Sequence, residues 1–346
     1  MPQLISEVLK NGVFVAIIAH GLIGVSLIWD KVLLKRPQTQ NLASYVFWLG
    51  FISVFGLFLI PFGFKFPGMR IALLAFATGV IHLVANYLYY GALKKGEASE
   101  TLAMMGGFSP VMTALIGIPL LPQTIGKGNM LGFVLMAAGG FVMFFSEELA
   151  LKKIMPWIIS ASATFGLVNV FEKIVFNATN FVSGYVFFTL GTVAGALLML
   201  VHPGWRRDIF TSSEEASPRS RFWYMVNRFI AGVGSFLVFF AISLQIPAVV
   251  ESITGIRYVI IFLGAYFITR WRPNWLREKF TGGALLAKCI GTALVVTGLV
   301  FLGLTSTNPA QNASNTTPQA TIAAPSHRCH ITCSPSRYLA RIVSRM

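Results

Sequence analysis

The stretch that decides the fold is GVSLIWDK, residues 24–31, because it returns as GLVNVFEK at residues 166–173. In both copies six positions separate the glycine from an acid that lysine follows, and the offset between the acids is 142 (172 − 30). Each copy closes a long apolar segment. Such an internal match predicts two similar halves, and the space between them is where a functional site is expected.

Composition places these halves in a membrane. Hydrophobic residues make up 55% of the 346 positions and only 11% are charged, which the surface of a water-soluble globule could not accommodate. A helix needs about 20 apolar residues to cross the hydrocarbon of a bilayer. The predicted spans are 12–33, 44–63, 71–93, 99–121, 128–146, 154–176, 180–201, 222–243, 249–269 and 283–304.

The formal charge of +15 does not indicate nucleic acid binding, because the basic residues lie in short connections and form no continuous groove for phosphates. Fourteen lysines and arginines fall in the connections after the odd-numbered spans, and four fall in the others. The positive-inside rule therefore predicts that both termini lie outside the cytoplasm. With only three cysteines, no disulfide framework is expected.

Five spans in each copy is an odd number, so the second copy should enter the membrane upside down relative to the first. The predicted fold is an all-α integral membrane protein of ten transmembrane helices in two inverted five-helix repeats, 1–146 and 147–304. The connection at 202–221 is expected to be a solvated surface loop. The tail at 305–346, rich in Asn, Thr, Ser and Pro, is expected to be disordered.

Several of these segments suggest a family. Asp30 and Lys31 end the first span, YYGALKKGEAS at 89–99 enters the fourth, and Pro110 follows eleven residues later. This pattern resembles the EamA-type transporters of the drug/metabolite transporter superfamily. The resemblance implies inverted repeats, alternating access and a central cavity lined mainly by helices 1, 3, 4, 6, 8 and 9. The resemblance also usually implies cytoplasmic termini, which contradicts the count of lysines and arginines. We follow the count and expect both termini outside the cytoplasm.

Two arginines lie within predicted spans, where a charge costs at least about 2.5–3.5 kcal/mol. Arg228 lies in span 8, and Arg257, followed by Tyr258, lies about eight residues into span 9. Two interpretations remain equally open: each guanidinium neutralises a glutamate on a neighbouring helix, or it binds an anionic substrate. Glu100 and Glu251 begin their spans, where carboxylates interact favourably with helix dipoles. Alternatively, Glu251 pairs with one of the arginines and releases it when substrate or a proton arrives.

The matched pairs Asp30–Lys31 and Glu172–Lys173 have two interpretations. The simpler one is that they are interfacial helix-end charges that set orientation. The sharper one is that each acid engages the opposite repeat, so that the pairs act as equivalent gates on opposite faces of the membrane.

Polar residues inside the spans suggest a substrate wall. His82 and Asn86 share one face of span 3, with Tyr89 one turn further. Asn169 of span 6 and Asn227, beside Arg228, would extend the wall. For His82 the alternative is a hydrogen bond to a neighbouring residue.

The predicted function is a secondary active transporter that moves a small organic metabolite, anionic or zwitterionic, across the plasma (inner) membrane. The alternative is a flippase for an amphipathic lipid-linked molecule, which would need a cavity that opens sideways.

An enzyme is not expected, because the sequence shows no nucleophile with a base at usable spacing. No cofactor is expected either. The metal-capable types of the tail, His327, Cys329, His330 and Cys333, do not match a structural zinc spacing. The expected partners are the substrate, the lipid bilayer and protons as a candidate coupling ion, and oligomeric state stays open.

Overall fold

The computed structural model describes residues 11–34, 41–95, 98–121, 127–145, 151–215 and 217–271, with isolated positions between 283 and 301. Most of the predicted tenth span and all of the tail at 305–346 therefore lie outside the described residues. The side chains of Lys31, Glu100 and Tyr258 also lie outside them.

The described chain is built of helices. In chain order they are α1 Gly12–Leu34, α2 Leu42–Ile52, a 3₁₀ segment Ser53–Phe62, α3 Met69–Lys95, α4 Ala98–Leu120, α5 Lys127–Phe145, α6 Leu151–Ala178, α7 Phe181–Met199, α8 Pro203–Glu215, α9 Pro218–Leu244, α10 Pro247–Ser252 and α11 Gly255–Trp271.

These helices confirm the prediction of an all-α integral membrane protein. Within the described residues, seven helical stretches are long and apolar enough to cross a membrane: Gly12–Asp30, Leu42–Phe62, Met69–Lys95, Ile154–Ala178, Phe181–Met199, Pro218–Leu244 and Pro247–Trp271. Two shorter apolar stretches, Met104–Leu120 and Met130–Gly139, lie in α4 and α5. The count of ten transmembrane helices stays a prediction.

Two predicted spans are not continuous α-helices. The second changes at Ser53 from α-helix to a ten-residue 3₁₀ segment that contains Pro61 and ends at Gly63, whose φ is +105°. Proline has no N–H to donate, and glycine adopts this left-handed conformation at no steric cost, so both favour an irregular end to the span. The ninth is interrupted by a turn at Ile253 and Thr254, which separates α10 from α11.

The prediction of a surface loop at 202–221 is wrong over most of its length. Pro203 begins α8, and proline is favoured at the first position of a helix because its fixed φ suits the helix and its missing N–H would be unpaired there. Ile209 is fully buried in the same hydrophobic cluster as residues of α2 and α3, so one apolar side chain anchors an otherwise polar helix to the bundle.

Glycines let the helices of the bundle pack closely. A Cβ on Gly24 of α1 would lie 3.2 Å from Cα of Arg257 in α11. A Cβ on Gly166 of α6 would lie 3.0 Å from the amide nitrogen of Thr113 in α4. In the contact between α3 and α7, a Cβ on Gly79 would overlap the carbonyl oxygen of Phe188. Small residues permit such close approach in membranes, where van der Waals packing drives helix association.

Candidate functional site

A cavity of about 490 Å³ lies between the helices of the bundle. Its walls come from α1, α2 and the 3₁₀ segment, α3, α4, α6, α7, α9 and the α10–α11 region. Most of the lining is apolar or aromatic, which is typical of small-molecule sites. The polar side chains that face it are Ser26, Asp30, Ser53, His82, Asn86, Ser109, Asn169, Thr189, Arg228, Ser235, Glu251, Thr254 and Arg257.

One end of the cavity is formed by an ion pair between the two halves of the sequence. The carboxylate of Asp30 on α1 pairs with the guanidinium of Arg228 on α9, and both residues are buried, with 1% and 3% of their surface exposed. Asn227 donates its side-chain amide to the same carboxylate. Tyr45 donates its hydroxyl to Oδ1 at 2.5 Å, and Tyr90 donates to Oδ2 at 3.0 Å. We call these five residues the Asp30 cluster.

Tyrosine rings enclose the guanidinium of this cluster. Nη1 of Arg228 donates to the hydroxyl of Tyr90 at 2.9 Å, and Nη2 donates to that of Tyr45 at 3.2 Å. The Cζ atom lies 5.1 Å from the ring centre of Tyr45, 5.8 Å from that of Tyr90 and 5.5 Å from that of Tyr224. Cation–π attraction strengthens when it is desolvated, so the rings compensate part of the cost of burying the charge.

The structure changes the interpretation of the charged residues. Asp30 and Lys173 are buried rather than interfacial, with 1% and 3% of their surface exposed, so the simpler interpretation of solvated helix-end charges is wrong for them. Arg228 pairs with Asp30 and not with Glu251. The carboxylate of Glu251 instead accepts a hydrogen bond from the hydroxyl of Ser109 on α4, at 3.0 Å.

Arg257 faces the cavity from the first turn of α11. It is half-buried, and its Nε has no hydrogen-bond partner within the part of the chain that the structure describes. Among the described residues, the ion pair that the structure contains is Asp30–Arg228, so no described carboxylate neutralises Arg257. Its guanidinium is therefore left to interact with whatever occupies the cavity.

Four predicted wall residues line the cavity: His82, Asn86, Tyr89 and Asn169. The side-chain amide of Asn86 donates to the carbonyl of His82 at 2.8 Å and lies 3.1 Å from its Nε2, so the histidine has the neighbouring partner that the alternative interpretation expects. The fifth, Asn227, holds the carboxylate of Asp30.

Aromatic rings form the part of the wall around His82. The ring centre of His82 lies 5.1 Å from that of Phe188 and 5.7 Å from that of Phe239, and these two phenylalanines are 4.6 Å apart. Tyr185 extends the group, 5.9 Å from Phe188. The cavity thus has an ionic wall at the Asp30 cluster and an aromatic wall around His82.

Glu172 and Lys173 of α6 point to different environments. The ammonium of Lys173 donates to the carbonyls of Ile242 and Ser243 at 3.0 and 3.1 Å, where α9 ends. A helix C-terminus has unpaired carbonyls and a partial negative charge, both of which a lysine satisfies. Glu172 is 0% exposed, and neither of its carboxyl oxygens has a hydrogen-bond partner among the residues described here.

The cavity opens sideways between the 3₁₀ segment and α9. Phe55 and Phe58 on one side and Phe229 on the other are 57–72% exposed and also line the cavity. Between them, a Cβ on Gly232 would meet no described atom within 4 Å. We call this gap the lateral opening. The phenylalanine side chains at its mouth are large, apolar and exposed.

The sequence analysis missed Tyr45 and Tyr224 of the site. Both rings are buried, and Tyr224 donates its hydroxyl to the carbonyl of Tyr45 at 2.9 Å. The available signal was that a tyrosine in the middle of an apolar span needs a partner for its hydroxyl. Counting tyrosine as one more apolar residue hid that signal.

Comparison with known proteins identifies the first half of this architecture. Residues 10–145 match the model of the EamA-like transporter family. Over this stretch the chain is similar to the EamA-like transporter family. The resemblance to EamA-type transporters of the drug/metabolite transporter superfamily is confirmed, and with it a multi-pass membrane protein with a transport function.

A solved structure titled "Crystal structure of protein" is similar to the EamA-like chain, with a TM-score of 0.55 and 15% identity. The match covers 86% of this chain and 97% of that one. At this identity the likeness shows a shared fold and nothing about substrate. No curated protein matches the chain.

Proposed function

We propose that this EamA-like protein is a secondary active transporter that moves a small organic metabolite across the plasma (inner) membrane by alternating access. The observation that supports this most is the central cavity. It has a buried interhelical ion pair at one end, and some polar groups along its walls have no hydrogen-bond partner among the described residues. Breaking and remaking such a pair would let that end open and close around substrate. The Asp30 cluster is the proposed gate.

Alternating access is supported by matched contacts in the two proposed repeats, 1–146 and 147–304. Gly24 in α1 packs closely on α11, and Gly166, 142 residues later in α6, packs closely on α4. Likewise α1 packs on α9, and α6 packs on α3. Two inverted repeats exchange α1 with α6, α3 with α9, and α4 with α11, so each contact has its counterpart.

The substrate is proposed to be anionic or zwitterionic because of Arg257. Arg228 is already neutralised by Asp30, which leaves Arg257 as the guanidinium that faces the cavity without an ion pair among the described residues. A guanidinium binds carboxylate or phosphate groups through paired hydrogen bonds. His82, Asn86 and Asn169 would contact the remaining polar groups of the substrate.

Counterflow in proteoliposomes tests this proposal with a panel of carboxylates, phosphate esters and neutral analogues. We expect flux of at least one anionic solute, and a decrease in its apparent affinity of about tenfold to a hundredfold in Arg257→Ala, since a hydrogen bond to a charged group contributes about 1.5–3 kcal/mol. Arg207→Ala, at an exposed position of α8, is the matched control. Unchanged anion affinity in Arg257→Ala would remove the anion assignment, and no flux of any solute would remove the transport proposal.

The lateral opening favours a second candidate, a flippase for an amphipathic lipid-linked molecule. An apolar chain could remain in the bilayer at Phe58 and Phe229 while a polar head enters the cavity. Vesicles with an NBD-labelled phospholipid and dithionite bleaching measure this activity. Gly232→Trp would fill the opening and should stop scrambling of the label, whereas Leu198→Trp, exposed on α7, should not. Scrambling no faster than in empty vesicles would rule out this candidate.

A further inference from the structure

Glu172 is a carboxyl group in an apolar environment. It lies near the end of α6, fully buried, and Val168, Val175 and Phe176 of the same helix belong to a hydrophobic cluster shared with α1, α3, α7 and α9. Neither of its oxygens accepts a hydrogen bond from any part of the chain described by the structure. A buried acid with no donor and no counter-ion is rare, because the charged form loses its hydration without compensation.

No cation in the described structure compensates this acid. Lys173, the next residue, points to the end of α9 and donates to two carbonyls there. On α9, Arg228 is paired with Asp30. On α7, Tyr185 interacts electrostatically with Glu172, but a tyrosine adds no positive charge.

The remaining helices that contact α6 do not supply a counter-ion either. On α3, His82 is surrounded by aromatic rings and by the amide of Asn86. On α10, Glu251 is itself an acid and accepts its hydrogen bond from Ser109 of α4. The acid of α4, Glu100, lies at its first turn, and its side chain is outside the described residues.

A carboxylate in such a place takes up a proton and becomes neutral rather than remain charged. Glu172 is also close to the cavity. Asn169, one turn earlier on the same face of α6, lines the cavity, and its Nδ2 has no partner among the described atoms. Tyr185 lines the cavity as well. Two polar side chains that line the cavity, Asn169 and Tyr185, are therefore neighbours of the buried acid.

We propose that Glu172 binds the proton that couples transport to a proton gradient. The sequence analysis gave a response to a proton as one of two interpretations of Glu251, but Glu251 lines the cavity and accepts a hydrogen bond from Ser109. Glu172 accepts no hydrogen bond from the described residues. The coupling role rests on the transport function proposed above, whereas proton binding by Glu172 does not.

Coupling follows from the two environments that alternating access would give this acid. In the state described here the carboxyl is dry, so it holds one proton. When the bundle is closed at this end and the cavity is open to the other side, Glu172 would take up a proton from that other side through Asn169 and Tyr185. When the bundle opens at this end, the proton would leave for this side of the membrane. Uptake from one side and release to the other would carry one proton in each conformational cycle.

Infrared spectroscopy of the reconstituted full-length protein tests proton binding without knowledge of the substrate. A protonated carboxyl has a carbonyl stretch that a carboxylate lacks. We expect this band at neutral pH in the wild type and in Glu251→Gln, and its loss in Glu172→Gln. Glu172→Asp should restore a band at a shifted position. A band that persists in Glu172→Gln, or no band in the wild type, would overturn the proposal.

Vesicles loaded with pyranine, a pH-sensitive dye, test the coupling with the same solute panel. We expect a luminal pH change with wild-type solute flux, and at least a tenfold smaller change per solute moved in Glu172→Gln, which should still exchange solute across both faces. An equal pH change in that variant would overturn the coupling role. If the wild type moves no solute, the transport function and the coupling role fail together, while the infrared result still decides whether Glu172 binds a proton.

Discussion

Asp30 and Glu172 occupy matching positions in the two halves of the sequence, but their environments are opposite. Asp30 accepts hydrogen bonds from two tyrosines and an asparagine and pairs with Arg228. Glu172 is equally buried, and none of the described residues donates to it. Two acids that match in the sequence therefore lie in different environments in the described structure.

Helix packing repeats the same contrast. Helices α3 and α7 approach so closely that Gly79 and Gly191 each face a backbone carbonyl of the other helix. If the two proposed repeats are exchanged, the α3–α7 pair corresponds to α9 and the second predicted span, which includes the 3₁₀ segment. At Gly232 the lateral opening separates α9 from the 3₁₀ segment. One half of the molecule is packed where the other half is open.

The largest expected effect is the loss of the ion pair. Arg228→Ala leaves the carboxylate of Asp30 buried with its tyrosine and asparagine donors but without a counter-ion. Removing one partner of a buried pair costs about 3–5 kcal/mol, because an uncompensated charge remains. Unfolding of the purified protein in detergent, followed by tryptophan fluorescence, measures this loss.

Arg207→Ala controls for the removal of an arginine, and it should change the free energy of unfolding by less than about 0.5 kcal/mol, as exposed substitutions do. The exchange Asp30→Arg with Arg228→Asp should recover part of the stability and of the flux that either single reversal removes. A loss below about 1 kcal/mol in Arg228→Ala would mean that the cluster does not close this end of the cavity.

The sequence predicted the members of this site better than their pairing. Asp30, Asn227 and Arg228 were all selected, because ionisable or amide groups within apolar spans need partners. The pairing was not available, since Asp30 and Arg228 are 198 positions apart. Because Asp30 lies near the end of its span, its position suggested the membrane–water interface. The tyrosines of α2, α3 and α9 instead bury its side chain there.

Backbone irregularities were the harder part of the fold to predict. Hydropathy identifies a span without distinguishing α from 3₁₀ geometry, so the change at Ser53 was hidden, although Pro61 marked an irregular end. The interruption at Ile253 and Thr254 lies in an apolar run that gives the same hydropathy with or without a turn. Gly255, which begins α11, was the signal for it.

A smaller effect is expected from the packing contrast. In Gly79→Ala the new methyl would overlap the carbonyl of Phe188, so α3 and α7 must separate, and overpacking of this kind costs about 1–3 kcal/mol. Gly232→Ala is the matched control, since it adds the same methyl to a helix in open space and should cost nothing or stabilise α9 slightly. Thermal unfolding of the two variants measures the difference. Equal losses would mean that the lateral opening is not open in the protein in solution.

The smallest effect is expected at Glu172, and it decides the comparison of the two acids. Glu172→Gln keeps the shape of a neutral carboxyl and removes no hydrogen bond that the described structure contains, so the free energy of unfolding should change by less than about 1 kcal/mol. The equivalent change Asp30→Asn removes a charge that Arg228 needs, and should cost about 3–5 kcal/mol. Both values come from the same unfolding experiment. A loss at Glu172 as large as that at Asp30 would mean that Glu172 is charged and paired, and the two ends of the molecule would then be alike.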